Sequence, residues 1–212
     1  TALAKIHKAN VNRLGAAWLT SLEGGAKSGN NQSTAVAVNG VLFIETAQGR
    51  VHAVDGKTGA VKWSWNPGRG GQTRRGVAVG EGKVFVAQIE QHTLHALNQK
   101  TGAPEWHFTT GGRIDSPPSV WKGRVVFGCA DGWVYCLRAR DGAMVWRFRG
   151  APKWDRHMAF EGLESVWPVS GSVLMEGNVA QFIAGRSNFM DGGLRFVKVD
   201  VETGSKLVET SV

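Results

Sequence analysis

The sequence predicts an all-β chain of propeller type, built from four four-stranded blades. Three observations carry this. A glycine precedes an apolar strand at Gly40, Gly82, Gly123 and Gly177, at intervals of 42, 41 and 54 residues. A second turn recurs in step, as Thr58-Gly59, Thr101-Gly102, Asp141-Gly142 and Thr203-Gly204. Four residues after each of its glycines comes Trp63, Trp106, Trp146 and, in the last unit, Val208. No stretch has helical periodicity, and Gly, at 29 of 212 residues, is used about twice as often as usual, which favours many tight turns. Four short strands per unit at this period are the sequence sign of propeller blades.

Each unit opens on a short strand: "STAVAV", "GVAVG", "SPPSVW" and "WPVSGSVLM". A second strand follows ("VLFIET", "KVFVAQ", "RVVFGC"), then a polar turn and a third strand ("VHAVD", "LHALN", "VYCLR"). The Thr-Gly turn leads into the fourth strand. Gly59, Gly102, Gly142 and Gly204 supply the positive φ that ends a tight turn, and Thr or Asp before them bonds the turn's own backbone. The tryptophans, on outermost strands, are read as structural, each burying a flat ring against the neighbouring blade. The blades fall at approximately 30–66, 74–109, 114–149 and 165–210.

The stretch "GAAWLTSL", 15–22, carries Trp18, 45 residues before Trp63, and reads as an outermost strand that arrives before its blade. Since Val208 stands where the fourth blade should have Trp, the Trp18 strand is expected to complete that blade's sheet. Within one chain this closes a four-bladed ring. Between two chains it closes an eight-bladed ring about a two-fold axis. The homodimer is the expected partner arrangement.

Hydrophobic residues make up 42% and charged residues 20%, ordinary for a globular chain. No apolar run approaches the length of a membrane helix, so no membrane insertion is expected, and "TALAKIHKAN" has no signal-peptide core. The formal net charge of +8 points to an anionic partner or to a solvated basic surface. The densest cluster is Arg69, Arg74 and Arg75, and the even scatter elsewhere disfavours a binder of acidic glycans or nucleic acid. In "FGCADGWVYCL" a two-residue Asp131-Gly132 turn would set Cys129 opposite Val134 and Cys136 one diagonal step away. That is too far for a disulfide, so two free, buried thiols are expected.

The pattern "AVDGKTGAVKW" resembles the tryptophan-docking repeat of the pyrroloquinoline-quinone (PQQ) propeller superfamily, over nearly the whole chain. Residues 9–108 are similar to the first blades of PQQ-dependent alcohol dehydrogenases. Residues 113–206 are similar to bacterial PQQ-like repeat proteins of unassigned activity, so the chain reads either as a fusion or as one branch of its own. The resemblance implies an eight-bladed ring, of which four blades are half, and a periplasmic or extracellular location. It also implies PQQ in the central channel with calcium or a lanthanide. Of the family's first-blade ligands, the arginine carries over as Arg75 in "RGVAV". The carboxylate position holds Gln32, and no Cys-Cys pair precedes Arg75. A neutral amide is a weak ligand for a hard cation, so no catalytic or metal residue is assigned and no cofactor is expected. The leading expectation is a non-catalytic scaffold or binding module; the alternative is an alcohol dehydrogenase-type oxidoreductase fragment or subunit using PQQ.

Other motifs fail on geometry. Ser119 and Lys122 imitate an SxxK element that needs a helix, and the Lys-Thr-Gly at 57–59 recurs at 100–102 as repeat punctuation. His92 and His95, three apart on a strand, point to opposite faces. Asn31-Gln32-Ser33 fits a glycosylation sequon. The segment 149–165, with Trp154, Asp155, Arg156, His157 and Glu161, is the one long departure from the repeat and reads either as a functional loop or as a rim cover.

Overall fold

The computed structural model describes residues 6–22, 32–68, 75–159 and 162–211. Apart from a single 3-10 turn at Val11–Arg13, every regular element among them is a strand. The first blade holds β1 (Val36–Val38), β2 (Val41–Glu45), β3 (Val51–Asp55) and β4 (Val61–Trp65). The second holds β5 (Ala78–Gly80), β6 (Lys83–Gln88), β7 (Thr93–Asn98) and β8 (Pro104–Thr109). The third holds β9 (Ser119–Trp121), β10 (Arg124–Gly128), β11 (Trp133–Arg138) and β12 (Met144–Arg149). A hairpin, β13 (Arg156–Ala159) with β14 (Gly162–Ser165), precedes the fourth blade: β15 (Leu174–Glu176), β16 (Val179–Ala184), β17 (Arg195–Asp200) and β18 (Lys206–Ser211). Each blade is an antiparallel meander in chain order, and the hairpin accounts for the longer last interval. None of the described elements is a helix long and apolar enough to cross a membrane.

The cores lie in the seams between blades. Strand residues alternate between faces, so β6 sends Val84 and Val86 toward the first blade and Phe85 and Ala87 toward the third. Three clusters result. Phe43, Val51 and Ala53 meet Val77 and Leu97 in the first seam. Leu94 and Ala96 meet Phe127 and Leu137 in the second. Val126, Val134 and Trp146 meet Phe182, Val197 and Val199 in the third. The innermost strands β1, β5 and β9, then β9 and β15, lie side by side.

Each outer tryptophan sits on the next blade's turn. Trp63 Nε1 donates to Gln99 O at 3.1 Å, Trp106 to Ala139 O at 3.0 Å and Trp146 to Val201 O at 2.7 Å. Each acceptor lies three residues before a turn glycine, and the indole lies flat on that glycine. A Cβ on Gly102 would stand 2.5 Å from Trp63 Cε3, and one on Gly142 2.7 Å from Trp106 Cε3. The glycine is therefore required twice, by a φ near +73° and by the ring above it. The turns close themselves: Asp55 Oδ1 accepts from Lys57 N and Thr58 N, and Thr58 Oγ1 from Ala60 N. A bulge at the same place in each blade offsets the third and fourth strands. It sets Trp63 opposite Ala53, Trp106 opposite Ala96 and Trp146 opposite Cys136. Small partners make room for the ring. In the fourth blade Lys198 stands opposite Val208.

Two expectations are corrected. The fourth sheet has four strands of its own, with β18 outermost, so the Trp18 segment does not complete it. Residues 15–21 form no strand. Instead Trp18 Nε1 donates to Gly56 O at 3.1 Å, Thr20 Oγ1 donates to Gly59 O at 2.5 Å, and a Cβ on Gly59 would lie 2.6 Å from Trp18 Cε3. Trp18 thus stands on the first blade's turn as an outer tryptophan of a preceding blade would. The turn at Asp131-Gly132 is one residue longer than expected: Cys129 faces Trp133, through its N–H to Trp133 O. Cys129 falls in the second seam and Cys136 in the third. Both thiols are free and buried, separated by the sheet rather than by a diagonal step. Burial pushes Cys129 well above the usual thiol range and Cys136 up to about 12.

Replacing half-buried Trp106 with Ala is expected to cost about 3 kcal/mol, the low end of the range for a buried aromatic. Gly142→Ala should cost at least about 1 kcal/mol through strain and the displaced ring. Denaturant unfolding of both variants checks this: an unchanged midpoint in either would mean that the indole is not bearing on the turn.

Candidate functional site at the strand-start end

Because strands alternate in direction, one end of each blade gathers the start of its inner strand, the turn between its second and third strands, and the end of its outer strand. Gln32, Arg75, Ser116 and Ser170 all precede inner strands at this end. A parallel bridge between Thr34 and Gly76 sets the Gln32 and Arg75 segments side by side. Both side chains are exposed, and no contact joins them among the described residues. Arg75 Nη1 lies 3.5 Å from Ser116 Oγ, which donates to Ser170 O at 2.8 Å. The guanidinium is thus tethered across the starts of three blades while facing water. Arg69, Arg74, Asn31 and Glu161 lie outside the described residues.

The buried acids here are occupied or neutral. Glu164 is buried, its Oε1 3.2 Å from Arg113 Nη2 and its Oε2 2.7 Å from Arg186 Nη2. Arg113 also pairs with Asp115 at 3.2 Å, so this network ties the hairpin to the loops on either side of it. Asp131 Oδ2 accepts from Tyr135 Oη at 2.7 Å and Gly111 N at 3.2 Å, and its Oδ1 accepts from Trp133 N at 3.0 Å. Glu45, at the end of β2, is fully buried. Neither of its oxygens has a well-formed hydrogen bond. Burial pushes its carboxyl up to about 8, and the Gly76 amide beside it offsets this only in part. Among the described residues no three His, Cys, Asp or Glu side chains converge as a metal site.

Sequence reasoning missed Glu45 and the Glu164 network. The signal for Glu45 was in the repeat: the positions in the same register hold Ala87, Gly128 and Ile183, none of them charged. Glu164 and Arg186 sit outside the repeat pattern and gave no signal. The excluded motifs stay excluded. Lys122 follows β9 in a turn, its Nζ 4.0 Å from the Trp121 ring centre. His92 is a turn residue at φ +53°, while His95 Nε2 bonds Gln88 Oε1 at 2.7 Å. Burial, then the His107 charge, brings His95 down to about 4.

The repeated blades define the class: a propeller of quinoprotein type. Residues 1–117 match the family model of the glucose/ethanol/alcohol dehydrogenase β-propeller domain, PQQ. The chain belongs to that family. It is 31% identical over 170 residues to the quinohemoprotein alcohol dehydrogenase of Comamonas testosteroni, covering 71% of this chain and 24% of that one. It is 28% identical over 211 residues to the quinone alcohol dehydrogenase subunit of Gluconobacter oxydans, covering 95% and 21%. The chain therefore spans less than a quarter of the length of these relatives. Among solved structures, a europium-containing methanol dehydrogenase superposes with a TM-score of 0.74 at 19% identity, over 98% of this chain and 45% of that one. Against the family's group, Arg75 fits an anionic quinone. The rest of the donor set does not fit a hard cation: Gln32 is neutral, Glu45 holds its proton, and Asp115 and Glu164 are paired with arginines.

Glu45 makes stability depend on pH. Unfolded, it ionises near 4.5, and folded it keeps its proton to about 8. In that window the folded state binds the extra proton, so stability falls as pH rises. Thermal melts from pH 4 to 9 should show this slope in the parent and a flatter profile in Glu45→Gln, which should be the more stable of the two at pH 8.

Proposed function

We propose that this chain is a quinoprotein-type propeller scaffold or binding module, and that by itself it does not carry out quinone-dependent oxidation. The observation that carries the reading is the Gln32–Arg75–Glu45 arrangement. An arginine for an anion is present, while the carboxylates a calcium or lanthanide would need are replaced, neutral or engaged. Isothermal titration of PQQ with Ca²⁺ or La³⁺ should show no site of micromolar affinity or tighter. Such a site, if seen and lost in Arg75→Ala, would overturn this reading. It would favour the second one, part of a PQQ-dependent alcohol dehydrogenase, for which the family match and the placement of Arg75 speak.

Assembly belongs to the same proposal. The outward face of the fourth blade exposes Leu174, Ile183 and Val208 at 63%, 48% and 43%, where the first three blades are covered by a neighbour. Large apolar side chains left open on a face that is a seam in the other blades suit an interface, with Gln181 and Lys198 between them, and a second copy of this chain is its proposed cover. In that dimer the partner's β18 needs the place that the Trp18 segment holds, so residues 15–22 must shift. Light scattering should give twice 22.8 kDa at micromolar concentration, and a mass of one chain would rule out the stable dimer.

A further inference from the structure

At the same end, on the outer rim of the third blade, two indoles and four cations form a patch that the inner-edge reading does not use. Trp133 opens β11 and Trp154 lies just before the hairpin. Their ring centres are 5.9 Å apart and their planes meet at 57°. Arg147 and Arg149 project from β12. Arg147 Cζ stands 4.4 Å from the Trp133 ring centre, and Arg149 Cζ 4.7 Å from that of Trp154. Lys153 and Arg156 border the same depression. None of these four cations forms an ion pair with a described residue. Among the described residues Asp131, held by its own hydrogen bonds, and Asp155 are the acids that line it, so four cations leave the patch net positive. Trp154 is 63% exposed, although an indole of that area is ordinarily covered.

We propose that this patch binds an acidic glycan, with one uronate ring on the open face of Trp154 and its carboxylate on the neighbouring arginines. An arginine stacked on an indole keeps its in-plane N–H fork free for a carboxylate, and stacking holds the fork in place. The apolar face of a pyranose needs one flat platform, and Trp154 offers one. Single-stranded nucleic acid takes successive parallel platforms along a basic groove. Here the second ring is half-buried, tilted and covered by Arg147. An acidic peptide uses the cations but leaves the indole idle. The inference stands whether or not the inner edge binds quinone.

The test is calorimetric titration of the full chain with tetragalacturonate at low and moderate salt, beside a neutral tetrasaccharide, an oligothymidylate and polyglutamate. Tetragalacturonate should bind with a Kd of about 10–100 μM, and the neutral sugar should not bind measurably. Trp154→Ala and Arg149→Ala should each weaken binding by about tenfold with the parent's melting temperature, since Trp154 is exposed and Arg149 lies at a strand end. Absence of tetragalacturonate binding overturns the proposal. So does binding that survives Trp154→Ala, or oligothymidylate or polyglutamate binding as tightly, which would mark an unselective basic surface.

Discussion

An indole lying on a bare glycine is the contact on which the rest of this fold depends. It joins two requirements at one residue: a backbone only glycine adopts without strain, and a surface with no Cβ. The Nε1 bond to the carbonyl three residues earlier fixes the ring's rotation, and the small residue opposite in the sheet lets the ring turn outward. With three such seats occupied by Trp63, Trp106 and Trp146, the angle between neighbouring blades follows, and Trp18 fills the same seat on the first blade. The innermost strands are then brought alongside one another, and Arg75, Ser116 and Ser170 meet although they come from three repeats.

The same end of the molecule sorts its arginines by what faces them. Arg113 and Arg186 are spent on Glu164, a buried carboxylate that would be costly to leave alone, and they fasten the hairpin. Arg75 rests on a hydroxyl. Arg147 and Arg149 rest on indole faces, which hold a cation without cancelling its charge. With Glu45 neutral, this end presents positive charge from several directions, a local counterpart to the chain's +8.

The fold was largely legible because its signals are periodic. A glycine, a turn and a tryptophan at fixed spacing recur often enough to identify the blade and its strand order. What escaped was non-periodic. The sequence placed Trp18 in the fourth sheet because Val208 looked like a vacancy, but β18 pairs with β17 through its backbone, which does not need the indole. At Asp131 the Asp-Gly pair suits a two-residue turn. The pairing of Cys129 with Trp133 lengthens it, with Asp131 recruited by Tyr135 on β11 and by Gly111 from the loop before the third blade. The inner-edge arginine was visible by resemblance. The neutral Glu45 beside Gly76 required knowing which chain passes over the end of β2.

The seams join only blades adjacent along the chain, and this bears on how the protein is made. Almost every stabilising contact links residues within about two repeats, so little of the fold waits for distant segments to find each other. A blade leaving the ribosome can pack at once on the one before it, its turn glycine already offered to a tryptophan synthesised about forty residues earlier. Low sequence separation of this kind favours rapid folding and limits the time that unpaired strand edges stay open to other chains.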